Sequence, residues 1–599
     1  MGRAQEAVLV KSNAYGAREA ALRALYDMEQ NAAYGGAVVR RYLKRGGYKS
    51  DEGGAYVNGD ADGDIGGTHV FGDDGGAYVH SDDGNGDEYI HGDEYGEDDA
   101  GVGAESAPDM RVDAREQALT RELTYGVTKW KLTLDSIIFQ YSKLKKTKIA
   151  PLILIILRLG VYQIVFLSKI PAFAACDECV KLAKKYGNKG SVAFVNALLR
   201  KIAANSAALT ASTIRPAPET TAAPAESNAP DAADAPAELN APDTADAPAD
   251  SNTLVEAAAP AELYTPGTAA APDKQHVPNK QASPDKNYAQ YLSVRHSYPL
   301  WLCEKWLRRY GPEFASAYMD AGNRKPELTL RVNTARTTAA GLMDRLNARG
   351  FDVVPGRYSK NALILRNPSG FTDTAEFRQG LFSVQGESSM LCAEALDPRA
   401  HESILDVCAA PGGKCAYAAE LTDGAARILA TDINARRLSL MEQNFTRLGL
   451  TSIKTALADA TARGAAPAAS MDKVLLDAPC SGLGVIAKKP DIKWSVTSES
   501  IAALSSLQKA MLRAAAGYVK PGGALVYGVC TAEPEECEDV INGFLRESAD
   551  FEPDDLRKYL PAPLWENNAC GGGDGLYIFP HMHGIDGFYI ARIIRKTGV

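Results

Sequence analysis

Four short apolar runs in the C-terminal part of this chain constrain its fold more than any other feature. They are Ile404–Val407, Ile428–Thr431, Lys473–Leu476 and Ala524–Tyr527, and each ends where a polar or glycine-rich loop begins. Segments with helical patterning lie between them, at Ala416–Glu420, Ala435–Leu448 and Ser500–Val519. Strands buried on both faces and separated by helices predict a parallel, doubly wound α/β sheet of the Rossmann-like kind over residues 385–599. In such sheets ligands bind beyond the carboxyl ends of the strands, so the residues at those ends are the functional candidates.

The front of the chain has a different pattern. Ala17–Glu29 carries apolar residues at the three-to-four spacing of an amphipathic helix. The pattern resumes from Ala114 and runs through Leu134–Tyr141, Ala150–Phe166, Ala172–Lys185 and Ser191–Ile202, which predicts an all-helical domain over 1–202. Its greasiest run, Ile149–Leu167, is broken by Arg158 and Gln163. The unbroken apolar part is far short of the ~20 residues that span a bilayer, so a buried helix is expected and no membrane partner. From about Tyr288 a small α/β module follows, over 289–384. It has a helix from Tyr298 through Trp306 to Tyr310, a strand at Leu328–Asn333, a helix at Ala339–Arg349 and a strand at Phe351–Val354.

Two segments fit neither pattern, and they decide how the net charge of -10 is read. Residues 51–110 hold 18 Asp and Glu and no Lys or Arg, within an insertion expected to be disordered over 46–112. Residues 203–288 are Ala-, Pro- and Asp-rich, with the repeat NAPDAADAPAEL at 228–239 and NAPDTADAPADS at 240–251, and are expected to be a disordered linker. Outside the two acidic stretches (51–110 and 203–290) the body carries +16, a balance that suits a polyanionic partner. The insertion contains calcium-loop-like spacing from Asp60 and from Asp83. The sixth position, which must be glycine, is Ile65 in one and Glu88 in the other, so solvated acid is the better reading and no metal is expected. The ten cysteines are irregularly spaced, and the N-terminus lacks the apolar core of a signal peptide, so the protein is expected in the cytoplasm, without a disulfide framework.

The chemistry concentrates at the ends of the strands. After the first comes Asp406-Val-Cys-Ala-Ala-Pro-Gly-Gly-Lys414, where Gly412 and Gly413 would let the backbone approach a ligand and the next helix presents unpaired amides. A phosphate-binding P-loop would need glycine at position 408 and Ser or Thr at 415, and both are cysteine. The dinucleotide fingerprint G-x-G-x-x-G is absent too. Asp432 ends the second strand and suits ribose hydroxyls, and Asp459 stands between the second and third runs. Two cysteines then stand in loops opening on the same edge: Asp477-Ala-Pro-Cys480-Ser-Gly and Gly528-Val-Cys530-Thr. One buried cysteine is often a small core residue. Two of them beside a ligand-binding turn point to a thiol nucleophile with an assisting group.

The segments CAAPGGK, DAPCSG, VCT and HGIDGFYIARI together resemble the Sun-type RNA cytosine-C5 methyltransferases (the Nol1/Nop2/Sun group). LTYGVTKWKLTLDSI, PLILIILRLGVYQIVFL and FVNALLRKI are similar to the RNA-binding domain of the antitermination factor NusB, and SYPLWLCEKW and LTLRVNT match the middle, RRM-like module of bacterial small-subunit rRNA enzymes of this group. The resemblance implies a class I methyltransferase domain that uses S-adenosylmethionine. By position it implies that Cys408, Ala409, Ala410, Pro411, Gly412, Gly413 and Lys414 form the cofactor loop, with Asp432, Asp459 and Asp477 as further contacts. It implies Cys530 as nucleophile toward carbon 6 of cytosine, Cys480 as the thiol aiding product release, and Asp477 near the ring. The substrate would be 16S rRNA before full subunit assembly rather than DNA, and the enzyme a monomer. A tRNA target, or a non-catalytic ribosome-assembly factor that keeps the fold, are the alternatives. The second of these is disfavoured because RNA binding alone needs neither thiol.

Two departures from the family pattern stand out. Its Ser-Thr-Cys reads Gly528-Val529-Cys530 here, and its Gln-Asp-Glu reads Gln385-Gly386-Glu387. Lys488, Lys489, Lys493 and Trp494 form a basic, aromatic segment expected to grip RNA, and Arg331 and Asn333 are further RNA-contact candidates. Cys176 and Cys179 form a lone C-x-x-C with no second pair at zinc spacing, and are read as ordinary cysteines. Cys415 and Cys537 flank the site without matching a family position.

Overall fold

A computed structural model describes residues 16–30, 114–214, 286–566 and 575–598, with isolated positions at 38, 42, 70–71 and 77–78. Most of the acidic insertion, both calcium-like loops and residues 215–285 of the expected linker lie outside the described residues.

The N-terminal helices are α1 (Ala17–Gln30), α2 (Ala114–Lys129), α3 (Lys131–Tyr141), α4 (Pro151–Phe166), α5 (Ala172–Tyr186), α6 (Lys189–Ala204) and α7 (Ser206–Ile214). Proline at the first position starts α4, and nearly all of its side chains are buried, so it is the central rod of the bundle. Arg158, in the middle of α4, is accommodated by pairing. Asp135 accepts from it at 2.6 and 2.9 Å and Glu29 at 2.7 Å, which satisfies the buried guanidinium. Cys176 and Cys179 are buried in the core of the same bundle. Helix α7 extends into the stretch read as linker, with Leu209 packed on the bundle. Among the described residues no helix is long and apolar enough to cross a membrane.

Three helices, α8 (Lys286–His296), α9 (Leu300–Tyr310) and α10 (Pro312–Asn323), come next. An antiparallel sheet follows, in the order β2 (Val353–Pro355), β3 (Ala362–Leu365), β1 (Leu328–Val332), β4 (Phe382–Val384). Side chains alternate across β1. Leu330 and Val332 pack with Leu342 and Leu346 of α11 (Ala339–Ala348), while Arg331 points to the domain behind the sheet. Helices α8–α10 share a core with the large C-terminal sheet instead, through Leu302, Trp306 and Met319 against Leu476 and Tyr527.

Helix α12 (Glu387–Ala395) leads into the large sheet. Its strands are β5 (Ser403–Asp406), β6 (Arg427–Asp432), β7 (Ile453–Leu457), β8 (Met471–Asp477), β9 (Val519–Val529), β10 (Phe551–Pro553), β11 (Gly575–Ile578) and β12 (Phe588–Arg595). The order is β10-β12-β9-β8-β5-β6-β7, with β11 also on β12. Strands β5 to β9 are parallel, as expected, with α13 (Gly413–Leu421), α14 (Ala435–Leu448) and α15 (Ser498–Ala516) in their crossovers. The sheet as a whole is mixed, which corrects the expectation of a parallel one. β12 runs antiparallel to β9, β10 and β11, because the chain returns from β11 to β12 by a short connection and no crossover helix. The chain builds outward from β5 through β6 to β7, then returns to β8 on the other side. The switch point therefore lies between β5 and β8, at their carboxyl ends.

Candidate active site

The loop after β5 is stitched to its neighbours by main-chain hydrogen bonds. Val407 N–H donates to the Leu475 carbonyl at 3.0 Å, and Ala409 N–H to that of Thr431 at 2.8 Å. A cis peptide joins Ala410 to the exposed Pro411. Gly412 has φ +93°, and a Cβ there would lie 2.4 Å from Met441 Cγ. Glycine is thus required here by the turn and by the approach of α14. A Cβ on Gly413 would lie 3.4 Å from the Gln385 side chain, an ordinary van der Waals contact.

Carboxylates gather around this loop. Asp406 and Asp432 are buried at the ends of β5 and β6. Asp432 accepts from Asn434 N–H at 2.9 Å and pairs with Arg437 at 3.5 Å, and Arg437 also donates to the Ala410 carbonyl at 2.6 Å. Asp477 ends β8, buried, and binds the ammonium of Lys414, which lies 5.5 Å from the centre of the Phe588 ring. The half-buried Cys408 sits among these acids, and burial together with Asp406, Asp432 and Asp477 pushes its thiol well above the usual range. Asp459 is at the same edge but exposed, with one oxygen accepting from the N–H (2.8 Å) and hydroxyl (2.7 Å) of Thr461.

The two loop cysteines converge. Cys480 Sγ and Cys530 Sγ are 3.1 Å apart and in no disulfide, with Cys480 buried and Cys530 half-buried. The loops that carry them are joined by Ala478 N–H to the Gly528 carbonyl (3.0 Å) and Gly484 N–H to the Cys530 carbonyl (2.9 Å). The Gly528 departure has a packing cause: a Cβ there would lie 2.6 Å from Cys392 Sγ and 3.0 Å from the Phe588 ring. Cys415 and Cys537 are buried beside the site, their thiols facing the Gly412 and Thr531 carbonyls. Among the described residues no cluster of His, Cys, Asp or Glu could hold a metal ion.

Several side chains expected to touch RNA are enclosed. Lys493 is 1% exposed, and its ammonium is surrounded by the carbonyls of Lys129, His296 and Ser297 and the side-chain oxygen of Asn323. Trp494 donates to the Thr128 carbonyl at 2.8 Å. Lys488, by contrast, stays exposed and pairs with Asp586 at 2.5 Å. Arg331, 1% exposed, forks onto Glu420 at 2.8 and 2.7 Å and reaches the Gly413 carbonyl at 2.6 Å. Asn333 donates to the carbonyls of Gly380 and Leu448. Lys493, Trp494, Arg331 and Asn333 hold modules together. Glu387 of the Gln-Gly-Glu segment does the same, accepting from the N–H groups of Arg357, Tyr358 and Ser359.

Other contributors were not singled out in the sequence. Trp306 and Lys305 of α9 hold Glu533, and Tyr310 donates to the Ala532 carbonyl, so this helix clamps the segment after Cys530. Glu536 binds the residue after Cys480. The visible signal is four acids, Glu533, Glu535, Glu536 and Glu538, crowded directly behind a strand-end cysteine.

Comparison with known proteins finds three family models along the chain. Residues 393–594 match the model of 16S rRNA methyltransferase RsmB/F, 93–204 that of the NusB family, and 298–372 that of the RsmF/B-like ferredoxin-like domain. The chain is 33% identical over 484 residues to the probable ribosomal RNA small subunit methyltransferase B of Bacillus subtilis, covering 80% of this chain and 91% of that one. A second relative of that name, from Synechocystis sp., is 31% identical, covering 79% and 90%. The crystal structure of a protein designated PH0851 shares the fold, with a TM-score of 0.57 and 22% identity over 81% of this chain and 92% of the other.

Proposed function

Because this chain belongs to the RsmB/F family of small-subunit ribosomal RNA methyltransferases, we propose that it methylates carbon 5 of a cytosine in 16S rRNA through a transient bond from Cys530 to carbon 6. One observation carries this reading: two thiols meet at 3.1 Å on the carboxyl edge of β8 and β9, next to the switch point.

The donor set at that edge suits S-adenosylmethionine. Ribose hydroxyls need acceptors and a sulfonium favours nearby negative charge, and Asp406, Asp432 and Asp477 all act on the space around Cys408. The residues that would hold it are Cys408–Lys414, Asp432, Asp459 and Asp477. When bound, it supplies an electrophilic methyl group.

The chain's own residues do the rest. Carbon 5 of cytosine is a poor nucleophile. Addition of Cys530 Sγ to carbon 6 shifts the ring electrons and makes carbon 5 enamine-like. Asp477, fixed by Lys414 at the end of β8, would hold the ring edge. Once carbon 5 has gained its methyl and passed its proton to solvent water, the carbon 6–sulfur bond breaks and Cys530 leaves as thiolate. Cys480, in contact with that sulfur, is the group that assists this departure. A base inside a helix cannot meet the thiol, so the substrate is rRNA before the subunit is fully assembled.

The test is methyl transfer to naked small-subunit rRNA by the wild-type protein, Cys530→Ala and Cys480→Ala, with 5-methylcytosine mapped at base resolution. Loss of product in Cys530→Ala and a trapped protein–RNA adduct in Cys480→Ala are expected. Methylation by Cys530→Ala at the wild-type rate would rule the mechanism out.

A further inference from the structure

A buried polar bridge runs between the two thiol-bearing loops, and the chemistry above does not use it. Glu536 lies in the short turn Pro534–Glu536 behind Cys530, with its side chain wholly enclosed. One oxygen accepts from the Ser481 N–H at 2.8 Å, and the other from the Ser481 hydroxyl at 2.5 Å. Gln508 of α15 donates to the first oxygen at 3.1 Å and to the Pro479 carbonyl at 2.9 Å. The peptide groups on both sides of Cys480 are therefore pinned, one by Glu536 and one by Gln508. The Ser481 hydroxyl is also 3.1 Å from that of Thr531, the residue after Cys530.

No cation is among these partners. The titratable groups acting on this pocket are Glu533 and Cys537 on the same loop, Tyr527 of β9, and Cys480 beyond Ser481. Burying a carboxyl group among such neighbours is costly unless its hydrogen bonds are made. Here its side-chain bonds go to the Cys480 loop and to the glutamine that pins the same loop.

We propose that Glu536 is a positioning residue that holds Cys480 against Cys530 and thereby sets how fast the enzyme–RNA adduct resolves. This rests on the reading that Cys530 forms the adduct and Cys480 assists its breakdown. Without the carboxyl group the Cys480 loop keeps only its Gln508 tether. An ångström-scale misplacement of a reacting group costs on the order of a hundredfold in rate.

The test compares Glu536→Ala, Glu536→Gln and Cys480→Ala on naked small-subunit rRNA with S-adenosylmethionine. Single-turnover adduct formation and steady-state turnover are measured side by side. In Glu536→Ala, adduct formation stays within a few-fold of wild type. Release slows on the order of a hundredfold, so covalent complex accumulates as it does in Cys480→Ala. Glu536→Gln restores release, since its amide oxygen can accept from Ser481 N–H while the Ser481 hydroxyl turns toward Thr531. Wild-type release in Glu536→Ala, or adduct formation lost together with release, would overturn the proposal. Should that variant fail to fold, Gln508→Ala must show the same accumulation, or the proposal falls. No adduct in Cys480→Ala would sink the underlying mechanism, whereas adduct there but none in the Glu536 and Gln508 variants would sink this inference alone.

Discussion

The Lys493 ammonium lies 3.2 Å from the main-chain carbonyl oxygen of Lys129, joining the segment after Cys480 to the last turn of α2. Asn323, at 2.6 Å, and the ring of Tyr298, at 3.8 Å, complete its surroundings. Burial and the neighbouring Lys129 push its pKa well down. Lys493→Met would leave buried oxygens without their donor, at about 1–3 kcal/mol for each group left unsatisfied. A lower midpoint in chemical denaturation is expected, with earlier proteolytic release of the N-terminal helices. An unchanged midpoint would show that the ammonium contributes nothing net.

Arg331 ties the small sheet to the cofactor loop. Its substitution by alanine strands the buried Glu420 carboxylate, a loss of about 3–5 kcal/mol. It also frees the Gly413 carbonyl, so weaker S-adenosylmethionine binding by calorimetry is expected alongside the lower stability. Arg331→Lys should rescue little, because an ammonium cannot reproduce the fork.

Position 528 is glycine where the family pattern has serine. Gly528→Ser overpacks the Cys392–Phe588 contact and should destabilise by about 1–3 kcal/mol. Adding Cys392→Ala should recover part of that loss, and simple additivity of the two changes would contradict the packing explanation.

Burial raises Glu536 to about 7 from an unfolded value near 4.5. Between these values the folded state binds more protons than the unfolded state, so stability falls as pH rises through this window. Measured against Glu536→Gln, wild type should lose roughly 3 kcal/mol between pH 4.5 and pH 8. A pH-independent difference would mean the carboxyl group titrates normally.

Helices α1 and α2 meet directly, with Ala17 N–H donating to Glu116 at 2.6 Å. The acidic stretch between them is thus connected at both ends to a formed contact. Deleting 51–110 should leave methylation of rRNA intact. A deleted protein that folds but is inactive would show that the acids take part.

The pattern of the chain identifies α14 to the residue and four of the five parallel strands, missing β7 and the first five residues of β9, because a period of 3.6 or a short apolar run is a local property. The antiparallel β12 is less legible, since direction in a sheet is not written in a strand. The enclosed cations show the larger gap. Lys493, Trp494, Arg331 and Asn333 look like surface chemistry in one dimension, yet each is matched by carbonyls or a carboxylate from segments remote in the chain.

By itself the sequence determined the element types, the right-handed alternation, and hence the edge on which Cys480, Cys530 and the three strand-end acids stand. Those follow from side-chain periodicity and crossover geometry, which are local. Only the tertiary structure decided that the thiols touch, that Glu536 and Gln508 pin the loop between them, and that α9 clamps the segment behind Cys530. Those depend on close packing between residues brought together by the fold, where ångström distances come from complementary shapes and not from spacing along the chain.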